Sequence, residues 1–355
     1  MKRIQKLIAA VALAPEAGIL VHKPSNIFYL SGYTGEGLLL ITGNTTAILT
    51  DFRYVEQAQQ EAPGFVVHQI TGQLSYQKTA ASLFEKEGIN TVYYEDDFIT
   101  VRSGKTWAEA LEGVTLLSLD NKPELLREIK DEQEIALIEK ACAISSAGFE
   151  YICTQIKSGM TELAIKRLLE NHLMDLGASA TAFDTIVASG PNGSLPHAIP
   201  GDRVIQDGDI ITLDFGARYK GYCSDMTRTV SVGQPSAKML EIFNIVLEAQ
   251  KASQAALKPG AICKDMDDVA RSLIAKAGYS EYFGHGLGHG VGIDVHENPR
   301  LSATCSDPLQ PGHVVTVEPG IYLPGIGGVR IENTCVIAET GAHSLVTASR
   351  ELRIL

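Results

Sequence analysis

The sequence of 355 residues has little of what would assign it to a class of protein at once. Its six cysteines form no C-x-x-C pair and none lies in the first third of the chain, which argues against a disulfide framework and predicts reduced thiols in a cytoplasmic protein. Lysine and arginine (30) are outnumbered by aspartate and glutamate (42), so neither a nucleic acid nor an anionic membrane is expected as the main partner. No apolar run is long enough to predict a membrane span.

The first residues, MKRIQKLIAAVALAPEA, combine a basic start with a short apolar run, as signal peptides do. The run is mostly alanine, however, and Ile4, Leu7, Ile8 and Val11 recur at the spacing of one helix face. We therefore expect an ordinary amphipathic first helix.

Composition predicts two domains with different architectures. Residues 1–122 read as a small α/β domain, with a hairpin in LLLITGNTTAILTD and helical patterns that alternate with short strands. Lys122-Pro123 marks the predicted boundary, and residues 123–355 mix long helices, hairpins and a strand-rich end, which predicts an α+β domain. The predicted helices of both domains cover residues 52–62, 76–87, 130–157, 161–176, 236–257 and 264–277.

One pair of aspartates frames a turn in IITLDFGARYKGYCSDMTRTV. The midpoint between Asp214 and Asp225 falls between Tyr219 and Lys220, near the middle of the turn 217–221. If the hairpin pairs symmetrically about that turn, the aspartates face each other with Cβ atoms about 4.5–5.5 Å apart, where like charges repel. Such a pair needs a cation, or one of the two carboxyls must hold a proton.

A pair of glutamates repeats the pattern in VVTVEPGIYLPGIGGVRIENTCVI. Glu318 and Glu332 are centred on Gly325, and apolar and β-branched neighbours predict that both lie in mostly buried strands. For one pair alone, exposed strand acids are an equally good interpretation. Two such pairs favour a metal cluster, because buried charges need partners and Arg330 is the only nearby cation on the second hairpin.

The stretch GHGLGHGVGIDVHENP places His285, His289 and His296 among five glycines. His285 and His289 have the i, i+4 spacing of zinc-binding helices, but the sequence between them is not that of H-E-x-x-H and is too rich in glycine for a helix. We interpret the stretch as a loop that brings a nitrogen ligand and acid–base groups to the carboxylates, with glycines that let the backbone approach the metals in conformations closed to other residues. For any single histidine, a satisfied core residue is the alternative.

These residues together resemble the pita-bread metallopeptidases, the superfamily of methionine aminopeptidase, prolidase and aminopeptidase P. The matching stretches are LDFGARYKGYCSDMTRT, GHGLGHGVG, VHENP, VEPGIY and VRIENT, within residues 125–355. The resemblance implies a pita-bread fold and assigns the metal ligands to Asp214, Asp225, His289, Glu318 and Glu332. TDFRY at 50–54 resembles the creatinase-type N-terminal domain, which methionine aminopeptidases lack, and creatinases have lost the metal carboxylates, so the resemblance implies a peptidase acting on Xaa-Pro bonds.

The same resemblance implies roles for the remaining candidate residues. His197, in SLPHAIP, corresponds to a histidine near the substrate, His285 to one that hydrogen-bonds around the scissile peptide, and His296 to a third active-site histidine. Arg330 and Arg300 are assigned to substrate binding, Arg300 at a position where short prokaryotic prolidases hold a proline carboxylate. For Arg300, a solvated loop arginine is the alternative.

Four carboxylates and one imidazole suit two divalent metal ions. Oxygen-rich ligation favours Mn²⁺ or Co²⁺, with Zn²⁺ as an alternative. The expected reaction is hydrolysis of the Xaa-Pro bond in dipeptides by a metal-bridging hydroxide, with Glu318 accepting a proton and His285 and His296 stabilising the tetrahedral intermediate. Phe183 or Tyr222 is expected to line an apolar slot for the proline ring.

Three other functions stay open at this point. Aminopeptidase P cleaves the same bond in longer peptides, whereas a creatinase-like reaction and a non-catalytic binding role both usually go with lost ligands, which are retained here. The resemblance also implies a homodimer that acts on proline-containing peptides.

Overall fold

The first of two compact units ends at Arg127 and is built around a six-stranded mixed sheet. The structure is a computed structural model that describes residues 2–355. The elements of the first unit in chain order are α1 (Lys2–Val11), β1 (Ala17–Val21), α2 (Pro24–Ser31), β2 (Leu38–Ile41), β3 (Thr46–Asp51), α3 (Val55–Glu61), β4 (Val66–Ile70), α4 (Tyr76–Glu87), β5 (Thr91–Tyr94), α5 (Val101–Ala110), β6 (Thr115–Ser118) and α6 (Lys122–Glu128). The strand order is β4-β3-β2-β1-β5-β6.

Local sequence accounts for much of this unit. The predicted hairpin is present as β2 and β3, and α4 has the predicted bounds because Ser75 caps its first turn and Gly88, with φ 70°, ends it. The first residues form the predicted helix, α1, which buries Ile4 and Leu7. Burial of Leu20, Leu40, Phe84 and Trp107 forms the core of the unit.

The second unit runs from Glu128 to Leu355. Its elements are α7 (Glu132–Gln155), α8 (Glu162–Asp175), β7 (Ala180–Thr181), β8 (Ile186–Ser189), β9 (Ile210–Phe215), β10 (Ala217–Tyr219), β11 (Tyr222–Cys223), β12 (Met226–Ser231), α9 (Ala237–Ala256), α10 (Cys263–Lys276), β13 (Gly288–Gly290), β14 (Glu297–Leu301), β15 (Val314–Val317), β16 (Gly320–Leu323), β17 (Gly327–Arg330), β18 (Asn333–Ala338), β19 (Gly341–Ser344) and β20 (Arg353–Ile354). Helices and hairpins in mixed order make this unit α+β, as predicted.

The division between the units lies at Arg127/Glu128 instead of 122/123. Lys122-Pro123 does not interrupt the chain, because proline lacks the N–H that the first turn of a helix leaves unpaired anyway. The dipeptide instead opens α6. The next helix, α7, starts at a reciprocal cap in which Asp131 accepts from the amide of Glu134 and Glu134 accepts from the amide of Asp131.

Two sheets of the second unit meet at the site described below. One has the order β20-β12-β9-β8 and the other β14-β13-β15-β18-β19, and α9 and α10 contribute to the large apolar core beside the second sheet. A side chain of β12 joins these two sheets, since Arg228 donates from NH2 to Oδ1 of Asn333 in β18 at 2.8 Å and also donates to the carbonyl of Glu332 just before that strand. Among the described residues, none of the helices combines the length and apolar character needed to cross a bilayer.

Candidate metal centre

The aspartate pair lies on one face of the β9–β12 hairpin, but in a different register from the one predicted. Asp214 is opposite Thr227, which leaves Asp225 as its diagonal neighbour. The turn is centred between Lys220 and Gly221, whose φ values of 47° and 88° fit the two-residue type I′ turn, and not at the middle of 217–221. The prediction that Asp214 and Asp225 lie directly opposite each other is therefore wrong, since the register differs by two residues. Because a shift of two residues keeps each side chain on its original face of the strand, both carboxylates still share a face.

The glutamate pair has the predicted register. Val317 pairs with Asn333 on one side of it and Gly320 with Arg330 on the other, and one continuous register through both pairs sets Glu318 opposite Glu332. The centre of this register is Gly325, as predicted.

His289 lies in β13, between the two pairs of acids. Its Nδ1 is 3.0 Å from the carbonyl of Gly290, which can only accept, so Nδ1 carries the proton and Nε2 is free to bind a cation. Nε2 lies 3.3 Å from Glu318 Oε1 and 3.5 Å from Asp225 Oδ2. Ligand atoms of Asp225, His289 and Glu332 all lie within 4.8 Å of one another.

Two of the carboxylates each have one oxygen held by the protein and one left open. Asp214 Oδ2 accepts from Arg330 at 2.5 Å and Glu332 Oε2 accepts from Thr227 at 2.7 Å. Asp214 Oδ1 and Glu332 Oε1 are buried without a hydrogen-bond partner in the described part of the chain. An unsatisfied buried acceptor costs about 1–3 kcal/mol and more when charged, so these oxygens fit a cation that they would bind.

The protonation of the acids supports the same interpretation. Burial, and then the charges of neighbouring carboxylates, raise the pKa values of Asp225 and Glu332 well above the ordinary range. Burial also raises the pKa of Asp214, against the charge of Arg330. Burial acts the same way on Glu318, but the hydrogen bond and charge of His289 outweigh it and lower that pKa to about 2. Without metal, the cluster therefore disfavours full ionisation, and a divalent cation would remove that repulsion.

A chain of hydrogen bonds leads from the acids to His285. Arg330, which is buried, holds Asp214 and donates from NH1 to the hydroxyl of Tyr322 at 2.9 Å. Tyr322 Oη is 2.8 Å from His285 Nε2, and His285 Nδ1 is 2.8 Å from the carbonyl of Gly286. Because that carbonyl requires a proton on Nδ1, Nε2 accepts from Tyr322.

Sequence reasoning missed Tyr322, although a signal was present. Side chains alternate between faces along a strand, so Tyr322, an even number of positions after Glu318, shares its face. Its partner in β17 is Gly328, which leaves room for the ring. A tyrosine hydroxyl on the same face as two acids is a candidate for a polar network.

The remaining candidates line the same cavity, which has a volume of about 890 Å³. His197 lies exposed in the segment between a 3₁₀ turn and β9, and His296 lies edge-on to His289 with ring centroids 4.5 Å apart. Arg300 is not in a loop but in β14, directly opposite His289. The cavity thus brings together all the predicted metal-binding, catalytic and charged substrate-binding residues, namely Asp214, Asp225, His289, Glu318, Glu332, His197, His285, His296, Arg300 and Arg330.

The two remaining histidines are held in the neutral form. Burial lowers the pKa of His285, with the charge of Arg330 adding to it. Loss of hydration, and then His289 and Arg300, lower the pKa of His296. Both rings are therefore neutral at pH 7 and able to accept a proton.

The glycines of the histidine-rich segment are not required for the special backbone conformations that the sequence predicted. None of Gly284, Gly286, Gly288, Gly290 and Gly292 has a positive φ. A Cβ at Gly288 would lie 2.1 Å from the carbonyl oxygen of Thr316, and one at Gly290 would lie 2.1 Å from that of Asn298. They are needed because β13 is packed against its neighbouring strands, not because of a special conformation.

Only one of the two aromatic residues expected at the proline slot is in the cavity. Phe183 lines it. Tyr222 is buried elsewhere in the second unit, where its hydroxyl donates to Glu134 Oε1 at 2.9 Å. The expectation for Tyr222 is therefore wrong, because its position in the hairpin turns it toward α7.

Family models match both units. The model described as metallopeptidase family M24 matches residues 136–339, and the model described as the creatinase/prolidase N-terminal domain matches residues 3–129.

Known proteins are similar over nearly the whole chain. An Xaa-Pro dipeptidase from Pyrococcus horikoshii is 38% identical over 99% of this chain and 98% of its own length. The structure of an Xaa-Pro dipeptidase from Bacillus anthracis is 41% identical, covers 100% of this chain and 99% of its own, and gives a TM-score of 0.96. The structure of an X-Pro aminopeptidase from Thermotoga maritima is 38% identical, covers 98% and 100%, and gives a TM-score of 0.90.

Proposed function

Because the chain belongs to metallopeptidase family M24 and carries a creatinase/prolidase N-terminal domain, we propose that it hydrolyses the Xaa-Pro bond of dipeptides. The second unit has the pita-bread fold of that family, seen in the similar prolidase structures. The observation that carries the proposal is the cluster of four buried acids and His289, with two carboxylate oxygens left open inside a cavity. The similar proteins described as Xaa-Pro dipeptidases support the choice of bond.

We propose that Asp214, Asp225, His289, Glu318 and Glu332 hold two divalent metal ions. Family membership implies divalent metal, and the oxygen-rich donor set favours Mn²⁺ or Co²⁺ over Zn²⁺. When bound, such metals polarise the scissile carbonyl and lower the pKa of a water molecule at the site.

The chain's own acid–base groups have separate roles in this proposal. Glu318 has a pKa of about 2, so its carboxylate is ionised and accepts a proton from the attacking water. His296, which is neutral at pH 7, accepts that proton from Glu318 and donates it to the proline nitrogen as the C–N bond breaks. Tyr322 donates to His285 at the cavity wall, and a bound substrate would redirect this hydroxyl proton to its carbonyl oxygen, where it stabilises the developing negative charge.

The two arginines have different roles. Arg330 donates to Asp214, to Tyr322 and, from Nε, to Thr227. We therefore assign Arg330 to positioning the acid and the tyrosine, and not to the substrate contact that the sequence predicted. Arg300 is exposed in the cavity and binds the proline carboxylate. His197 and Phe183, which also line the cavity, contact the substrate, Phe183 through the proline ring.

Release of the N-terminal residue from longer Xaa-Pro peptides is the second candidate. The similarity to the Thermotoga maritima X-Pro aminopeptidase favours it specifically. Rates on Xaa-Pro, Xaa-Pro-Yaa and Met-Ala-Ser in Mn²⁺, each with an EDTA control, separate the candidates. Preference for the dipeptide supports the first proposal, preference for Xaa-Pro-Yaa supports the second, and cleavage of Met-Ala-Ser alone contradicts both.

We further propose a cytoplasmic homodimer. All six cysteines are unpaired, which supports a reducing compartment. Light scattering of the purified chain would test the dimer, and a monomer at micromolar concentration would contradict it.

A further inference from the structure

The segment that carries His285 has no regular secondary structure of its own. Residues 283–287 connect a 3₁₀ turn (Ser280–Tyr282) to β13 outside any helix or strand; the carbonyl of Leu287 accepts from the amide of Glu318 at 2.8 Å, whereas those of Phe283 and His285 have no backbone partner in the described part of the chain. Buried backbone groups without partners destabilise a fold, and such a segment must be held by something else. The structure shows what holds it.

Arg271, in α10, donates to two carbonyls of this segment. NH1 donates to Phe283 at 3.0 Å and NH2 to His285 at 2.9 Å. The guanidinium also lies 4.6 Å from the centre of the Phe283 ring, which in turn packs edge-on against His285 with centroids 5.1 Å apart. Arg271 therefore contacts the segment both through its backbone and through the ring beside His285.

Asp267, one helical turn earlier in α10, orients Arg271 and adds a third contact. It accepts from Arg271 Nε at 2.8 Å and NH2 at 3.0 Å, a two-point contact that fixes the plane of the guanidinium. Its Oδ1 also accepts from the amide of Leu287 at 2.9 Å. Asp267 is only 1% exposed, so it is not a solvated surface partner.

We infer that Asp267 and Arg271 form a clamp, the α10 clamp, that positions His285 for the reaction. The inference rests on the proposed function only in that His285 acts on the substrate. The two residues do not touch the cavity, so they are positioning residues and act through His285.

The clamp is separate from the contacts that fix His289. The amide of His289 donates to Thr316 Oγ1 at 3.0 Å, and β13 is paired with strands on both sides. The carboxylate of Glu318, whose amide donates to Leu287, is held separately by Thr316 Oγ1 at 3.2 Å and lies 3.3 Å from His289 Nε2. Loss of the clamp should therefore misplace His285 and leave the metal-binding atoms in position. A displacement of about 1 Å at a catalytic group can lower a rate about 100-fold.

The test compares Arg271→Met with a matched control, Arg353→Met. Arg353 also makes a two-point contact with a carboxylate, Glu150, and lies 5.2 Å from the ring of Phe149, but it holds no part of the site. Each variant is assayed for kcat and KM on an Xaa-Pro dipeptide in Mn²⁺, for Mn²⁺ affinity, and for hydrogen exchange of residues 283–287. Arg271→Lys, which keeps the charge but not the planar fork, covers the case in which Arg271→Met does not fold.

We expect Arg271→Met to lower kcat by about 10- to 100-fold. KM and Mn²⁺ affinity should change by less than about 3-fold, and the kcat of Arg271→Lys should lie between those of Arg271→Met and the wild type. Exchange at 283–287 should accelerate in Arg271→Met and stay unchanged in Arg353→Met. In a His285→Ala background, Arg271→Met should lower kcat by less than about 3-fold, because the group that the clamp positions is gone.

An equal loss in both backgrounds, or lost Mn²⁺ affinity, would overturn the inference and assign Arg271 to general stability. Unchanged kcat and exchange in a wild-type-like fold would overturn it as well. If the wild-type chain hydrolyses no Xaa-Pro peptide, the proposed function fails, while the exchange measurement still tests the clamp.

Discussion

His289 and Arg300 are directly paired across β13 and β14, so their side chains project from the same face of the sheet into the cavity. A proposed metal ligand and an unengaged cation thus lie side by side. A dipeptide bound with its scissile bond at the acids would place its C-terminal carboxylate within reach of that cation.

Arg300→Ala should lower kcat/KM for Xaa-Pro by about 10- to 100-fold, the effect of losing a charge-assisted contact of about 1.5–3 kcal/mol. Xaa-Pro amide, which has the same length but no terminal charge, should lose much less, as should Xaa-Pro-Yaa. Steady-state kinetics on the three substrates provides the measurement. Equal losses on all three would assign Arg300 to structure or to general catalysis.

Asp225→Asn should abolish hydrolysis without lowering the melting temperature of the metal-free protein. Burial and the neighbouring acids already disfavour the charged form of Asp225, so the neutral amide removes repulsion. Mn²⁺ should raise the Tm of the wild type and not that of the variant, because only ligands that bind the folded state stabilise it. Calorimetry in EDTA and in Mn²⁺ tests both statements, with Asp268→Asn on the exposed side of α10 as the control. A variant with full Mn²⁺ stabilisation and unchanged turnover would contradict the ligand assignment.

Tyr322→Phe should lower kcat by about 10- to 100-fold and leave KM and Mn²⁺ affinity nearly unchanged. Among residues 2–355 the hydroxyl alone joins Arg330 to His285 in the hydrogen-bond chain, and its removal leaves His285 Nε2 without a donor. Single-turnover kinetics separates the chemical step from product release. A variant whose loss lies entirely in KM would place Tyr322 in substrate binding.

Acid should destabilise the first unit through His22. Burial lowers the pKa of His22 to about 4 from an ordinary value of 6.5, so the unfolded chain binds more protons between these values. The stability contribution is complete above pH 6.5 and is lost as the pH falls toward 4, and about 2 kcal/mol of it is already lost at pH 5. His22 packs edge-on against Trp107, the single tryptophan of the chain, so urea denaturation followed by fluorescence reports on this unit.

His22→Phe keeps an aromatic ring beside Trp107 and removes the titration. Between pH 7.5 and pH 5 it should lose about 2 kcal/mol less than the wild type. His68→Phe, in β4 of the same unit, is the control for a changed histidine count. Equal losses in the wild type and in His22→Phe would show that other groups cause the acid sensitivity.

The two acid pairs show what a sequence can and cannot specify about a hairpin. LPGIGG offered one plausible centre, Gly325, and the register of Glu318 and Glu332 followed from it. The turn between Asp214 and Asp225 had several candidate centres, and the one adopted gives Lys220 a positive φ that non-glycine residues rarely have. Symmetry about the middle of the segment therefore predicted the correct face but not the correct partner.

Tertiary contacts were beyond the reach of the sequence. The hydrogen bonds of Tyr322 to Arg330 and His285 join residues from β16, β17 and an irregular segment, and no spacing pattern specifies them. The helices, by contrast, were predictable where capping residues such as Ser75 and Asp131 mark a start. No strand was predicted around Arg300, because the sequence ENPRL, with its proline, gives a weak strand signal.

Because there is no space for a side chain at Gly288 or Gly290, the candidate metal centre cannot be transferred to another protein by its ligands alone. Grafting the four acids and the imidazole onto a new hairpin scaffold would reproduce the donor atoms but not the strand spacing that the glycines permit. With a side chain at either position the imidazole-bearing strand would stand away from its neighbours, and the donors would no longer converge. A transplant would therefore have to carry three adjacent strands as one block, and a genetic screen for lost activity would recover these glycines alongside the donors themselves.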